Sequence, residues 1–286
     1  MAWRLCDHDG LRPFPAALAV LVASLGLWLH AQAPAPTTPA APDARPGAAA
    51  GQGDAVARAR LTAPIVIDPG HGGDEAGARS GGGLEEKALA LDVARRLKTV
   101  LESKLGLRAL LTREGDTAMT LDERAAFANT HTGSLFISLH ANTAPSPTVE
   151  GAEIYYLLAD DGGEAPDARA ARGAGFMSPL STGRPLALIP WTGAQVPHLG
   201  ASALLAETLA QALAGQLPAS GTPLRRAPLR LLESVNMPGV LVELVFLSSP
   251  AQEKLARTDE FKASAAEALA DGIARFRRGT ASEPRP

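Results

Sequence analysis

The chain is almost without cysteine: among 286 residues only Cys6 carries a thiol. One thiol makes no intramolecular disulfide and no thiolate zinc site, so a metal centre has to be assembled from histidine, aspartate and glutamate. Histidine is scarce as well, with six in the chain, which leaves few candidate ligands. Charge of one sign is missing too. Lys plus Arg number 27 against 30 Asp plus Glu, a net charge of −3, so no global basic field invites nucleic acid. Apolar residues at 46% and charged residues at 20% exclude a wholly disordered chain, and their mixed pattern excludes a polytopic membrane protein. The length allows one large domain or two small ones with a full hydrophobic core.

What is present begins with a targeting segment. Arg4 and Arg12 precede an apolar run from Phe14 to Leu29, and Ala31-Gln32-Ala33 follows. A charged start, an apolar middle and an A-x-A end describe a secretory signal. Pro34 would occupy the first mature position, where proline obstructs processing, and a run of about 20 residues is long enough to span a bilayer. Residues 1–33 therefore read as a signal peptide or an uncleaved signal anchor. That places the protein in the periplasm or cell envelope, with membrane contact only through this segment. Residues 34–61 are an Ala/Pro-rich linker. Nine alanines and five prolines stand between 34 and 57, too little apolar surface to offset the entropy of ordering. A folded domain is expected over 62–279, with a disordered tail over 280–286.

Within the folded part, Ile65-Val66-Ile67 is a short β-branched run stopped by Asp68-Pro69-Gly70, a strand followed by a turn. Leu84, Ala88, Leu91, Leu97, Leu101 and Leu105 share a helical face, with Gly106 at the C-cap position. Residues 107–111 are the next strand. Thr120 and Glu123 form a capping box that opens a helix through Asn129. Further strands are expected at 135–139, 151–158 and 240–242, and helices at 200–216 and 259–277. Strands alternate with helices, which predicts a single α/β domain: a mainly parallel, twisted sheet with helices on both faces.

The chemistry gathers at strand ends. The first strand ends at Asp68-Pro69-Gly70-His71, the strand 135–139 runs into His140, and the strand 240–242 runs into Glu243. In a parallel sheet these ends share the carboxyl edge, where open α/β sheets bind ligands. The helix after the first strand begins near Leu84, which brings Glu85 and Glu86 to the same edge. Each residue has an ordinary alternative. His71 lies in a glycine-rich turn where an inert histidine is unremarkable, and either glutamate could serve the helix dipole alone. His140 follows the strand 135–139, four of whose five residues are apolar, and has to be satisfied or liganded. Glu243 sits inside Val-Leu-Val-Glu-Leu-Val-Phe, where a carboxylate is costly to desolvate unless paired, protonated or near a metal. Together, two histidines and a carboxylate make a catalytic zinc arrangement, and a further glutamate supplies the general base.

These residues sit in segments that resemble the zinc-dependent N-acetylmuramoyl-L-alanine amidases of bacterial cell-wall turnover, the amidase_3 type. The segments are IVIDPGHGG (65–73), GLEEKALAL (83–91), LTREGD (111–116), SLFISLHAN (134–142), GAEIYYL (151–157) and MPGVLVELVFLSSP (237–250). Their order and spacing follow the family pattern over about 64–277. The resemblance implies one Zn²⁺ held by His71, Glu86 (not Glu85) and His140, with Glu243 as the catalytic base that later protonates the leaving amine. It also implies the bond: the amide between N-acetylmuramic acid and L-alanine of the peptidoglycan stem peptide. Asn142 and Trp191 are the expected substrate contacts. Spacing alone shows only a metal-assisted hydrolase, so a zinc peptidase or deacetylase, or a catalytically silent wall-binding domain, stand as alternatives.

Two departures from the family pattern bear on shape. Val245 stands where glycine is usual, and a β-branched residue does not take positive φ cheaply, so the loop after Glu243 is expected to differ. Ser249 stands where asparagine is frequent. A Gly/Pro-rich segment, 158–199, is longer than simple members of the family need. In some relatives an inserted element here covers the zinc until a partner displaces it, which adds an activator protein to the candidate partners beside peptidoglycan. Because it follows the strand 151–157, this segment is expected near the zinc edge, as an irregular loop presenting Trp191.

Overall fold

The computed structural model describes residues 62–158, 193–214, 216–217 and 223–282. The leader, the linker and Trp191 lie outside the described residues. No helix among the described residues is long and apolar enough to cross a membrane.

Six strands form one sheet: β1 (Ile65–Pro69), β2 (Ala109–Leu111), β3 (Leu135–Asn142), β4 (Glu153–Leu157), β5 (Leu224–Ala227) and β6 (Gly239–Phe246). Their spatial order is β2-β1-β3-β6-β4-β5. β1 pairs in parallel with both β2 and β3, and β3 pairs in parallel with β6. β4 runs antiparallel to β6, and β5 lies parallel to β4. The sheet is thus mainly parallel, as the alternation of elements predicts, with its reversal at β4.

Side chains alternate across the sheet, and both faces are covered. Ile65, Ile67, Ile137, Leu139, Val240 and Val242 point to a core shared with α1 (Glu86–Leu105), α3 (Leu199–Ala214) and α6 (Asp259–Ser282). Val66 and Phe136 point the other way, against α2 (Leu121–Thr130) and α4 (Arg230–Glu233). Ile65, Ile67, Phe136, Ile137 and Leu139 are completely buried, the environment that unbroken apolar runs require.

Local signals place the helix ends. The Thr120 side chain accepts from the Glu123 backbone N–H, and Glu123 accepts from the Thr120 N–H, so the capping box forms. Gly106 ends α1 in the left-handed conformation at φ 63°. α6 runs to Ser282, so 280–282 continue the helix where a tail is expected. The short elements β5, α4 and α5 (Pro250–Ala256) go beyond the predicted set.

Both departures sit in regular local structure. Val245 does not take positive φ; β6 simply continues to Phe246, and Val245 packs into the core. Ser249 caps α5, accepting from the Gln252 N–H and donating to Glu150. The expectation for 158–199 changes more. Because β4 is antiparallel to β6, Leu157 lies at the edge opposite Glu243, and Gln195, where the described chain resumes, bonds to Glu233 close to the start of β6. Following β4 therefore gives no reason to place the segment at the zinc edge.

One buried ion pair stands between the layers. Arg124 of α2 donates from Nη1 to Asp68 Oδ1 at 2.7 Å, and Asp68 also accepts from Thr112 and Ser138. Removing one partner of a buried pair strands the other charge. Asp68→Ala should lower unfolding stability by about 3–5 kcal/mol, whereas Thr120→Ala should cost about 1 kcal/mol. Urea denaturation of the two variants gives both numbers, and equal losses would overturn this ranking.

Candidate metal centre

The parallel register delivers the site. His140 pairs with Glu243 across β3 and β6, and Glu243 pairs with Glu153 across β6 and β4. Directly opposed residues share a face of a sheet, so these three side chains form a row at the carboxyl edge. His71 stands just past β1 on the same edge. Glu86 opens α1, whose first turn lies beside it.

Three of the predicted residues converge. His71, Glu86 and His140 each offer one ligand atom, and the three atoms lie within 4.8 Å of one another. His71 Nε2 lies 3.1 Å from Glu86 Oε1, and His140 Nδ1 lies 2.7 Å from that same oxygen. The imidazoles meet edge to face with centroids 5.0 Å apart. Two of the second atoms are occupied: His71 Nδ1 contacts Glu75 Oε1 at 3.0 Å, and Glu86 Oε2 accepts from the Ala78 N–H at 2.7 Å. Glu86 Oε1 also accepts from the Ala141 N–H. Glu85 is left out of the cluster. It pairs with Arg79 at 2.8 Å in front of α1.

The backbone leaves room for this packing. A Cβ on Gly70 would stand 2.4 Å from the His140 ring, and one on Gly77 would stand 2.4 Å from Glu86 Oε2 and 2.5 Å from the His71 ring. His71 itself takes a left-handed φ of 56°, a conformation that L-residues adopt at an energetic cost, often at functional sites.

The two carboxylates beside His140 differ. Burial opposes ionisation of Glu86, which is 5% exposed, but hydrogen bonds from His140 and His71 outweigh it and hold the carboxyl well below the usual range. The Glu86 carboxylate in turn pulls His71 up. For Glu243 burial wins over the opposing pull of the His140 and His71 charges. Its Oε2 is buried without a hydrogen-bond partner, and desolvation, aided by the Glu86 and Glu153 charges, pushes it up to about 7.

Asn142, the predicted substrate contact, ends β3 at this edge. Its Oδ1 accepts from the Thr143 N–H and its Nδ2 donates to Glu153 Oε2 at 3.3 Å. Trp191, the other, lies outside the described residues. Glu153 goes beyond the sequence-predicted set. It is buried, and it accepts from Tyr155, Asn142 and Arg225. An acidic residue opening the apolar strand 151–158 was the available signal, but its partners lie up to 72 residues away.

Two imidazoles and one carboxylate with their ligand atoms gathered in this way are donor types that a catalytic metal takes, and Glu243, with one oxygen lacking a hydrogen-bond partner, stands beside them. The comparisons give the family. Residues 65–275 match the Amidase_3 family model, described as N-acetylmuramoyl-L-alanine amidase, and the chain belongs to this family. It is 33% identical over 221 residues to N-acetylmuramoyl-L-alanine amidase AmiC of Neisseria meningitidis, a match covering 74% of this chain and 52% of that one. The chain thus spans about half the length of that relative. N-acetylmuramoyl-L-alanine amidase AmiA of Salmonella typhimurium is 30% identical over 216 residues, covering 73% of this chain and 74% of the relative. Among solved structures, N-acetylmuramoyl-L-alanine amidase AmiC2 of Nostoc punctiforme superposes with a TM-score of 0.57 at 27% identity, covering 77% of this chain and 98% of that one.

The raised proton affinity of Glu243 has a thermodynamic sign. The group ionises near 4.5 when unfolded and near 7 when folded. Its support of the folded state is therefore whole below about pH 4.5 and is lost as pH rises through about 7. In metal-free protein, Glu243→Gln should match wild type at about pH 4 and exceed it by about 3 kcal/mol at about pH 8. Urea titrations in chelator at both pH values measure this, and a difference that stays constant with pH would contradict it.

Proposed function

We propose that the chain is a zinc-dependent amidase that hydrolyses the bond between N-acetylmuramic acid and the L-alanine of the peptidoglycan stem peptide. The observation that carries the reading is the convergence of His71, Glu86 and His140 within 4.8 Å beside the partnerless Oε2 of Glu243. Family membership supports the bond. The residues fit zinc: nitrogen and oxygen donors are those it takes, Gly70 and Gly77 leave the space, and the buried orphan oxygen of Glu243 lacks a partner from the protein.

Zinc, when bound, would supply Lewis-acid polarisation of the amide carbonyl and favour ionisation of a water. The rest falls to the chain's own side chains. His71 and His140 keep their ligand nitrogens turned to Glu86, and Glu86 stays ionised as the anionic ligand. Glu243 accepts the proton from the attacking water at its free oxygen and returns it to the nitrogen of L-alanine as the amide breaks, a role worth roughly 10²- to 10⁴-fold. Exported to the cell envelope through residues 1–33, such an enzyme would serve wall turnover or daughter-cell separation.

Three comparisons test the reading. His71→Ala and His140→Ala should lose both stoichiometric zinc and lytic activity on purified sacculi while staying folded. Glu243→Gln should keep zinc and lose roughly 10²-fold or more in rate. Full activity in a metal-free histidine variant would remove zinc from the reaction, and zinc lost along with activity in Glu243→Gln would make Glu243 a ligand. Glu86→Ala should weaken zinc retention strongly while Glu85→Ala leaves it unchanged, and the reverse ranking would displace Glu86 as ligand.

A further inference from the structure

We propose that Arg113 and Asp116, in the Leu-Thr-Arg-Glu-Gly-Asp segment after β2, are positioning residues for the metal centre: they tie the His71 loop to the first turn of α1, so that His71 and Glu86 are presented as one preassembled unit. The inference rests on the metal reading above and extends it to residues that touch neither metal nor substrate.

Two cross-links make the tie, and both end on Lys87, the neighbour of Glu86. The first is the buried guanidinium of Arg113. It donates from Nε to Pro69 O at 3.0 Å and from Nη2 to Gly70 O at 2.8 Å, the two carbonyls that precede His71. The same Nη2 donates to Lys87 O at 2.9 Å, the carbonyl that follows Glu86. Nη1 is held on Gly115 O at 2.9 Å, which fixes the plane of the group. The second cross-link runs through Asp116. Its Oδ1 accepts from the Gly73 N–H at 2.8 Å, and its Oδ2 accepts from Lys87 Nζ at 2.8 Å. Lys87 Nζ also donates to Gly73 O at 2.7 Å, closing a ring around the glycines that follow His71.

The need for a tie follows from the loop. Residues 70, 72 and 73 are glycine, and His71 between them holds φ 56°. A free glycine-rich loop has many conformations to lose when it takes up a metal, and left-handed histidine would relax without restraint. Groups that orient metal ligands are worth 10- to 100-fold in affinity. A guanidinium suits the position because its rigid fork serves carbonyls on two segments at once, while an ammonium is a single point of charge.

The test compares zinc affinity, by competition with a chelator, in the full chain and its variants Arg113→Lys, Asp116→Ala and Asp116→Asn. The visible spectrum of the cobalt-substituted proteins and the melting temperature of the metal-free proteins are read alongside. Arg113→Lys and Asp116→Ala should weaken zinc binding by about tenfold or more and shift the cobalt bands. Asp116, with its side chain 58% exposed, should leave the metal-free melting temperature unchanged when replaced. Asp116→Asn keeps an acceptor for Gly73 and should recover part of the affinity. If Arg113→Lys fails to fold, Asp116→Ala decides. Wild-type affinity and spectrum in that variant would overturn the proposal, as would a loss of affinity that only follows a loss of metal-free stability. A wild-type chain that takes up no metal overturns the metal reading and this inference with it, which separates the two failures.

Discussion

The structure turns on a shortage of hydrogen-bond donors at the end of β1. Pro69, Gly70 and His71 direct three successive carbonyls into the protein, where no neighbouring strand can meet them. Two buried guanidinium groups do so instead. Arg124 serves Asp68, Pro69 and His71, and Arg113 serves Pro69 and Gly70. A buried carbonyl without a partner is costly, so these arginines are what allow the chain to leave the sheet as a glycine turn and still stay inside. Asp68 makes Arg124 tolerable there, since a guanidinium with no carboxylate would be an unpaired charge in the core. The left-handed His71 is the product of this arrangement and cannot be separated from it.

Sheet register then does for β3, β6 and β4 what the arginines do for the loop. Asp68 faces Ser138 across one pair of strands, and one pleat nearer the edge His140 faces Glu243, which faces Glu153. Polar residues on this face therefore come in two layers. The inner layer is structural, with Ser138 donating to Asp68. The outer layer holds one of the proposed ligand histidines and the proposed base. A slip of one residue in any of these pairings would turn the set toward the apolar core on the other face, so the packing of Ile137, Leu139, Val240 and Val242 fixes the site as firmly as any polar contact.

Much of this is readable from the sequence because it is local. A β-branched or apolar run that stops at an ionisable residue marks a strand end, and parallel pairing brings such ends together; His71, His140 and Glu243 follow. Thr120 with Glu123 and the glycine at 106 mark helix ends for the same reason. Spacing cannot choose between Glu85 and Glu86, which differ by about 100° around the helix; the family resemblance favours Glu86, and in the fold it is Glu86 that lies with His71 and His140. The direction of β4 leaves no local mark, because an antiparallel strand has the same alternation as a parallel one. Its reversal carries residue 158 to the far edge and removes the reason for placing the following segment at the site. Arg113, Arg124 and Glu153 escape for a related reason: each acts on partners dozens of residues away, and a charged residue beside an apolar run reads as a solvated end until its partners are known.

The environments of Glu86 and Glu243 also account for their division of labour. Both carboxylates lie beside His140 at the same edge of the sheet. Glu86 is given every donor within reach: two imidazoles and the N–H groups of Ala78 and Ala141. Glu243 is given none for its inner oxygen, and it faces two other acids. Pairs of like groups whose surroundings drive their proton affinities apart are how a site obtains an anion and a proton carrier from one residue type. Here the separation needs no charge from outside, because it follows from where the donors are. Helix α1 aims its first turn at the edge, while β6 places Glu243 one strand away, on a face that holds only side chains. A glutamate at the head of a helix can borrow backbone N–H groups from the turns around it; a glutamate in the middle of a strand cannot, because its neighbours' N–H groups are already committed to the sheet. The proposed ligand and the proposed base are thus distinguished by the kind of element that carries each.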